Sequence, residues 1–276
     1  MKENITFALV IPKYKDMFNT FSAVEIMKGA KDASFSHKVD LLVHIGQKDN
    51  SVAPRIFDLD FIKGIIFVDF FGNEKLIPIA RRKKIPFIIV NYFNKTSPDN
   101  CIGIDNQKAS MEAIDYLVKS GHKKIATITG KLKAQCGMDR LIGYKRGLKK
   151  HKISIDPKYI VLADWSEESG KKAMKKLIAL KDRPTAVFVA GDEMAIGALK
   201  IAKESNLRFP EDISIVGFDN IPQGNFPEVS LTTIDQHQYI LGIKGIEYLK
   251  KIVEKKVKQP IKLFLENTEL VKRNSA

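Results

Sequence analysis

The sequence predicts a doubly wound α/β protein made of two lobes. Apolar, β-branched runs alternate with amphipathic helical stretches almost throughout, and the strand-like runs outnumber what one small parallel sheet usually holds. No Gly/Ser-rich or Pro-rich linker divides the chain, so two lobes sharing short crossovers fit better than separate beads.

Strand-like runs occupy residues 5–11, 40–45, 64–70, 86–92, 124–129, 160–163, 185–190 and 214–218, each short, apolar and suited to burial on both faces. Helical patterns near 21–34, 74–84, 107–120, 138–149, 167–180 and 193–205 lie between them, each compatible with a crossover back to a parallel sheet. Gly121 closes the 107–120 helix by supplying a left-handed residue, Asp192 is expected to cap the helix that begins at Glu193, and Asn206 stands where that helix should stop. The run 214–218 delivers one carboxylate, Asp219, to its C-terminal end, the edge at which open α/β sheets bind ligands.

At 276 residues and 44% hydrophobic content the chain can bury one large core or two moderate ones. No apolar run approaches a membrane span, and Met1 to Asn4 lead into the first strand without a signal-peptide pattern, so a cytoplasmic protein without membrane contact is expected. Cys101, Cys136 and five scattered histidines lack the spacing of a disulfide framework or a metal site; no metal and no cofactor is expected. The formal charge of +14 sits in several lysine-rich helical patches mixed with core-spaced apolar residues, and charge alone does not make the chain a DNA binder. A catalytic set is also missing: there is no Gly-x-Ser-x-Gly, no phosphate-cradling glycine loop with Lys-Ser/Thr, and no paired strand-end carboxylates with an acid–base division, so no enzyme is expected.

The run Pro210-Glu211-Asp212-Ile213-Ser214-Ile215-Val216-Gly217-Phe218-Asp219-Asn220, followed by Leu231-Thr232-Thr233-Ile234-Asp235-Gln236, resembles the effector-binding core of the LacI/GalR family of bacterial transcription regulators. Other stretches match in the family's order: Ile104-Asp105-Asn106 with Gly121-His122-Lys123-Lys124-Ile125-Ala126, Asp139-Arg140-Leu141-Ile142-Gly143-Tyr144, Pro184-Thr185-Ala186-Val187-Phe188 with Asp192-Glu193-Met194-Ala195, and the ending Thr268 to Arg273. The resemblance covers nearly the whole chain. It implies a type I periplasmic-binding-protein-like fold, α/β, with two doubly wound parallel-sheet lobes joined by three crossovers near Asp105, Gln236 and Lys262. The N-terminal lobe would be 1–105 plus 236–262 and the C-terminal lobe 106–235 plus 263–276.

By that resemblance the chain senses a small-molecule effector, a sugar or sugar derivative, in the interlobe cleft. It would modulate operator DNA binding as a homodimer, through lobe-one surfaces that include 21–34 and 74–84. Family members read DNA with a helix-turn-helix headpiece, and this chain is expected to lack it, because it starts at the first effector-domain strand. The alternative function is the sugar-binding protein of an ABC transporter, which shares the fold; the Pro210 to Asp219 run is typical of the regulators instead.

Seven residues are expected at the effector. Arg140 matches the family's effector-contacting arginine, and its planar fork suits paired hydroxyls or a carboxylate. Asp219 matches the contacting aspartate; it can accept from two adjacent hydroxyls. Trp165, the only tryptophan, follows a strand where family members often carry an aromatic that packs on the ligand. Asn91 replaces a frequent aspartate, and Gly191 stands where several sugar-responsive members have a polar side chain. Phe18 in the loop after the first strand and Phe71 after the third are candidate stacking aromatics, while Gln236 and Asp105 read as hinge or structural residues. Lys131 and Lys133 beside the presumed cleft, together with the lost charge at Asn91, leave the effector's own charge open between neutral and anionic.

Overall fold

The computed structural model describes residues 5–13, 20–46, 55–224, 229–266 and 268–276. In chain order the elements are β1 (Ile5–Ile11), α1 (Phe21–His37), β2 (Val39–Ile45), β3 (Ile62–Val68), α2 (Ile77–Arg82), β4 (Phe87–Val90), β5 (Cys101–Ile104) and α3 (Asn106–Lys119). There follow β6 (Ile125–Thr129), α4 (Gln135–Lys150), β7 (Ile160–Leu162), α5 (Glu167–Ile178), β8 (Ala186–Val189), α6 (Asp192–Glu204), β9 (Ser214–Phe218) and β10 (Thr232–Asp235). The chain finishes with α7 (Gln238–Val253), β11 (Lys262–Leu265) and β12 (Glu269–Val271).

Two compact units result, residues 1–104 with 237–266 and residues 105–236 with 267–276. The first holds a six-stranded sheet in the order β11-β5-β4-β3-β1-β2, parallel throughout. Alternation along β1 explains its two cores: Phe7, Leu9 and Ile11 pack with Ile26 and Ala30 of α1 and Leu241, Ile246 and Leu249 of α7. Ala8 and Val10 face the other side, against Leu76, Ile77 and Ala80. With both faces covered, the inner strands β1, β3, β4 and β5 read as nearly continuous apolar runs.

The second unit's sheet runs β12-β10-β9-β8-β6-β7, parallel except for β12, which pairs antiparallel with β10. One face packs Ala126, Ile128, Val187 and Ile215 against Ala173, Met174 and Leu177 of α5 and Met194, Ala195 and Ala198 of α6. On α4, Tyr144 is fully buried and its hydroxyl donates to the Ile125 carbonyl at 2.8 Å; burial pushes that phenol up.

Several sequence expectations shift. β5, β11 and α7 lie outside the elements read from the sequence: β5 and β11 are only four residues long, and only the last residues of α7 fall in the lysine-rich run that starts at Lys250. Since β11 pairs with β5, residues 263–265 belong to the first unit's sheet, and the third passage between units falls after Glu266 rather than near Lys262. Asp192 does not cap α6 from outside; Gly191 is the N-cap and Asp192 is the first helical residue, fully buried. Asn206 does adopt the left-handed conformation expected of a helix stop.

Candidate functional site

In the second unit, β6, β7, β8, β9 and β10 run parallel, so the residues just beyond their C-terminal ends gather at one sheet edge. That edge receives Gly130 after β6, Trp165 after β7, Ala190 and Gly191 after β8, Asp219 after β9 and Gln236 after β10. Arg140 comes to the same place from α4.

Arg140 is 4% exposed, and its guanidinium donates through Nε and Nη1. Nε donates to Asn106 Oδ1 at 2.9 Å, and Nη1 donates to the Ala190 carbonyl at 2.6 Å and to Asp219 Oδ1 at 3.5 Å. Its Cζ lies 3.7 Å from the centroid of the Phe218 ring and 5.6 Å from that of Trp165, so the charge rests on an aromatic face as well as on its acceptors.

Asp219 is the counter-ion, with 23% of its side chain exposed. The Gln236 amide donates to the same oxygen as Arg140, and the Asp192 backbone N–H at the start of α6 donates to the carboxylate as well. Burial raises the Asp219 carboxyl above its ordinary range, and the charge of Arg140 opposes that rise without cancelling it. Behind it Asp192 accepts from Thr233 Oγ1 at 2.7 Å and from the Ile221 N–H at 3.0 Å. Full burial first, and then the neighbouring Asp219 charge, hold Asp192 well above the usual carboxylate range. Gly217 makes room for it, since a Cβ there would stand 2.0 Å from Asp192 Oδ1.

Local chain chemistry positions each group. Trp165 has φ of 79°, Asp219 of 126° and Asn220 of 57°, conformations that cost L residues energy and persist only where surrounding bonds impose them. Asn220 is clamped from both sides, donating to Asp235 Oδ2 at 2.9 Å and accepting from Arg273 Nη2 at 2.7 Å. Around Trp165, Asp164 Oδ1 accepts from the Ser166 hydroxyl at 2.6 Å and the Ser166 N–H at 3.1 Å, and Ser166 caps α5 by accepting from the Ser169 N–H at 3.2 Å. The serine donors hold the Asp164 carboxyl at about 2.

Four of the seven sequence candidates, Arg140, Asp219, Trp165 and Gly191, therefore meet at one edge of the second unit. Asn91 and Phe71 belong to the first unit. There Asn91, with φ of 58°, donates to Asp69 Oδ1 at 2.6 Å just past the ends of β4 and β3, and Phe71 lies exposed beyond β3. Its neighbour Phe70 stacks on Tyr92 with centroids 4.9 Å apart. Phe18 lies outside the described residues. Sequence reasoning missed Asn106, Asp192 as a buried carboxylate, and Gln236 as a partner of Asp219. Asp192 was read through its helix-start position, and the residue types at 106 and 236 carry no signal until the fold brings them to Arg140 and Asp219.

Residues 114–276 match the model of the periplasmic binding protein-like domain family. The chain is 35% identical over 243 residues to the HTH-type transcriptional repressor CytR of Escherichia coli strain K12, covering 87% of this chain and 70% of that protein. It is 28% identical to catabolite control protein A of Priestia megaterium, covering 92% and 76% respectively. A solved LacI-family regulatory protein from Chloroflexus aggregans superposes with a TM-score of 0.89 at 25% identity over 98% of each chain. With the fold, the strand-edge cluster and these relatives in agreement, the chain belongs to the LacI/GalR family of transcriptional regulators and comprises that family's effector-binding domain.

Proposed function

We propose that this domain binds a small sugar or related metabolite and transmits its presence to operator DNA binding by a regulator that works as a homodimer in the cytoplasm. The observation that carries the reading is the Arg140–Asp219 pair: a guanidinium and a carboxylate bonded to each other at the ligand-binding edge of a parallel sheet, beside a half-buried tryptophan. Such a pair can accept from and donate to paired hydroxyls at once, and it costs too much desolvation to be kept for stability alone. Physically, the effector acts by binding one conformation of the protein better than another.

The homodimer reading draws on exposed apolar surface of the first unit. Phe35 near the end of α1 is 87% exposed, and Val43 and Ile45 are exposed on β2, the edge strand of that sheet. Among the described residues no helix is long and apolar enough to cross a membrane. The relatives are regulators, which disfavours both an enzyme and a transporter component.

A thermal-shift screen of sugars and sugar derivatives tests the proposal, because a ligand that binds only the native state raises its apparent stability. A stabilising ligand that loses its effect in Arg140→Ala and Asp219→Ala supports it. Stabilisation unaltered in both variants would exclude this cluster as the site.

A further inference from the structure

We propose that the first unit itself touches DNA. The sheet edge at which its strands begin carries a row of unpaired cations that fits the phosphate backbone of a duplex and reads no bases. The inference goes beyond effector sensing, because it gives the domain a direct contact with nucleic acid, and it does not depend on which ligand the second unit takes.

The topology builds the row. All six strands of the first sheet run parallel, so their N-terminal ends share one edge, and α1, α2 and α7 each run back to that edge before the next strand begins. α1 is followed by Lys38, the residue before β2, and α2 by Lys83 and Lys84, just before β4. α7 is followed by Glu254 and Lys255, with Lys258 standing before β11. Since β2 and β11 are the outer strands and β4 lies between them, the cations span the whole edge. At the usual inter-strand spacing that edge is about 24 Å wide, the length of about seven base pairs.

Three of these lysines occupy positions at which a stable helix end calls for glycine. Lys38, Lys84 and Lys255 have φ of 54°, 56° and 56°, the left-handed conformation, which costs an L side chain energy that glycine avoids. In the second unit α3 and α6 are followed by Gly121 and Asn206 in this conformation, the usual residues, and only α4 is followed by a lysine, Lys152. A cation at a helix C-terminus offsets part of that cost through the helix dipole. Gathering several on one edge adds mutual repulsion, which a polyanion relieves.

The charge balance on the edge favours an anion. Lys83 is paired with Asp58 at 2.9 Å, Lys256 with Glu254 at 2.7 Å and Arg81 with the buried Asp99 at 2.8 Å, so these carboxylates are already matched. Lys38, Arg82, Lys84, Lys255 and Lys258 are exposed and form no ion pair among the described residues, against the exposed carboxylates of Asp40 and Asp60. Such exposed cations suit phosphates, whereas reading base edges needs donors fixed in a groove. Phe61 is also exposed on this edge, just before β3, so an anionic membrane surface is the rival partner. The relatives regulate transcription, which favours the duplex.

The experiment titrates the full chain into a fluorescein-labelled duplex of about 30 base pairs and scrambled sequence, following anisotropy from about 20 to about 200 mM salt. The expected Kd is about 10–100 µM near 50 mM salt, equal for a second scrambled duplex, with a log–log salt slope between about −4 and −5 from five phosphate contacts. The triple variant Lys38→Gly, Lys84→Gly, Lys255→Gly removes three charges and relieves three left-handed side chains, so its thermal transition stays native-like. It should lose at least about tenfold in affinity and about 3 in slope. The control Lys145→Gln, Lys149→Gln, Lys152→Gln removes as many exposed charges from the second unit and should leave binding within about twofold.

Unaltered affinity in the triple variant, a control that weakens binding as much as the triple variant does, or no binding by about 200 µM chain at about 20 mM salt overturns the inference. Binding to phosphatidylcholine–phosphatidylglycerol vesicles without binding to the duplex overturns it in favour of a membrane. Each of these outcomes leaves the effector-sensing reading standing, because that reading is tested by ligand stabilisation at the second unit.

Discussion

The Trp165 indole lies directly on the backbone of Gly130, so closely that a Cβ at residue 130 would stand 2.0 Å from the ring's Cη2 atom. The glycine that follows β6 therefore sets the position of the aromatic that follows β7, and the left-handed backbone of Trp165 swings the ring onto it. The contact turns a loop tryptophan into a fixed wall of the site.

Gly130→Ala should displace the indole, because neither backbone nor ring can give 2 Å without movement of the loop. We expect a loss of about 1–3 kcal/mol of stability, as for other overpacked positions, with a shifted Trp165 emission maximum. Urea denaturation followed by tryptophan fluorescence reads both quantities; a wild-type spectrum and midpoint would show that the contact does not constrain the ring.

Removing either member of the buried pair leaves the other uncompensated. Arg140→Ala or Asp219→Ala should each cost on the order of 2–4 kcal/mol in effector binding, and a comparable amount in stability for Arg140→Ala, discounted for the part of Asp219 that water reaches. The double variant Arg140→Ala with Asp219→Ala should cost less than the two single changes added together, since the residues share one bond. Chemical denaturation of the four-member cycle checks this, and strict additivity is the contrary result.

Asp192 and Asp219 give stability a pH dependence of definite sign. Both carboxyls are raised above their ordinary values, chiefly by burial, so the folded state holds their protons more tightly than the unfolded chain does. Their contribution is full below the ordinary aspartate range and is lost as pH rises through the raised folded values. Asp192→Asn removes that dependence, so the variant should gain stability relative to wild type as pH goes from about 4 to about 7. Parallel thermal melts across that range measure the difference; a difference that is flat or of opposite slope would contradict it.

Asp164 works in the other direction. Its carboxyl, held at about 2 by the serines at the start of α5, contributes stability above the ordinary aspartate range and loses it as pH falls toward 2. Asp164→Asn should weaken the cap and the turn that carries Trp165, making its emission less sensitive to acid than that of the wild type. Steady-state fluorescence between pH 5 and pH 2 tests the point.

Phe35 is the most exposed large apolar side chain among the described residues, at 87%. If it belongs to a surface between two copies, Phe35→Glu should shift the chain from dimer to monomer in sedimentation velocity without lowering the melting temperature of the monomer by more than about 0.5 kcal/mol in equivalent stability. An unaltered distribution of species would remove this residue from the interface.

The sequence by itself determined the class, most of the strands and helices, and it singled out four residues that gather at one sheet edge of the second unit. Strands buried on both faces must be apolar without interruption, helices between them must show one apolar face, and the motif around Asp219 is specific enough to name a family before any fold is seen. It could not determine β5 and β11, whose four residues each are too short for a periodicity, or that they pair with each other across about 160 positions of chain. Nor could it separate a capping aspartate from a buried one: Asp192 occupies a helix start in either case, and only the approach of Thr233 and Ile221 decides that its carboxyl leaves water. Gln236 is the plainest example, because an isolated glutamine has no preferred role, and its partner Asp219 is supplied by the parallel alignment of β9 and β10. Local propensity and hydrophobic pattern are written along the chain, whereas the pairing of polar groups is settled by long-range register, which no short window of sequence contains.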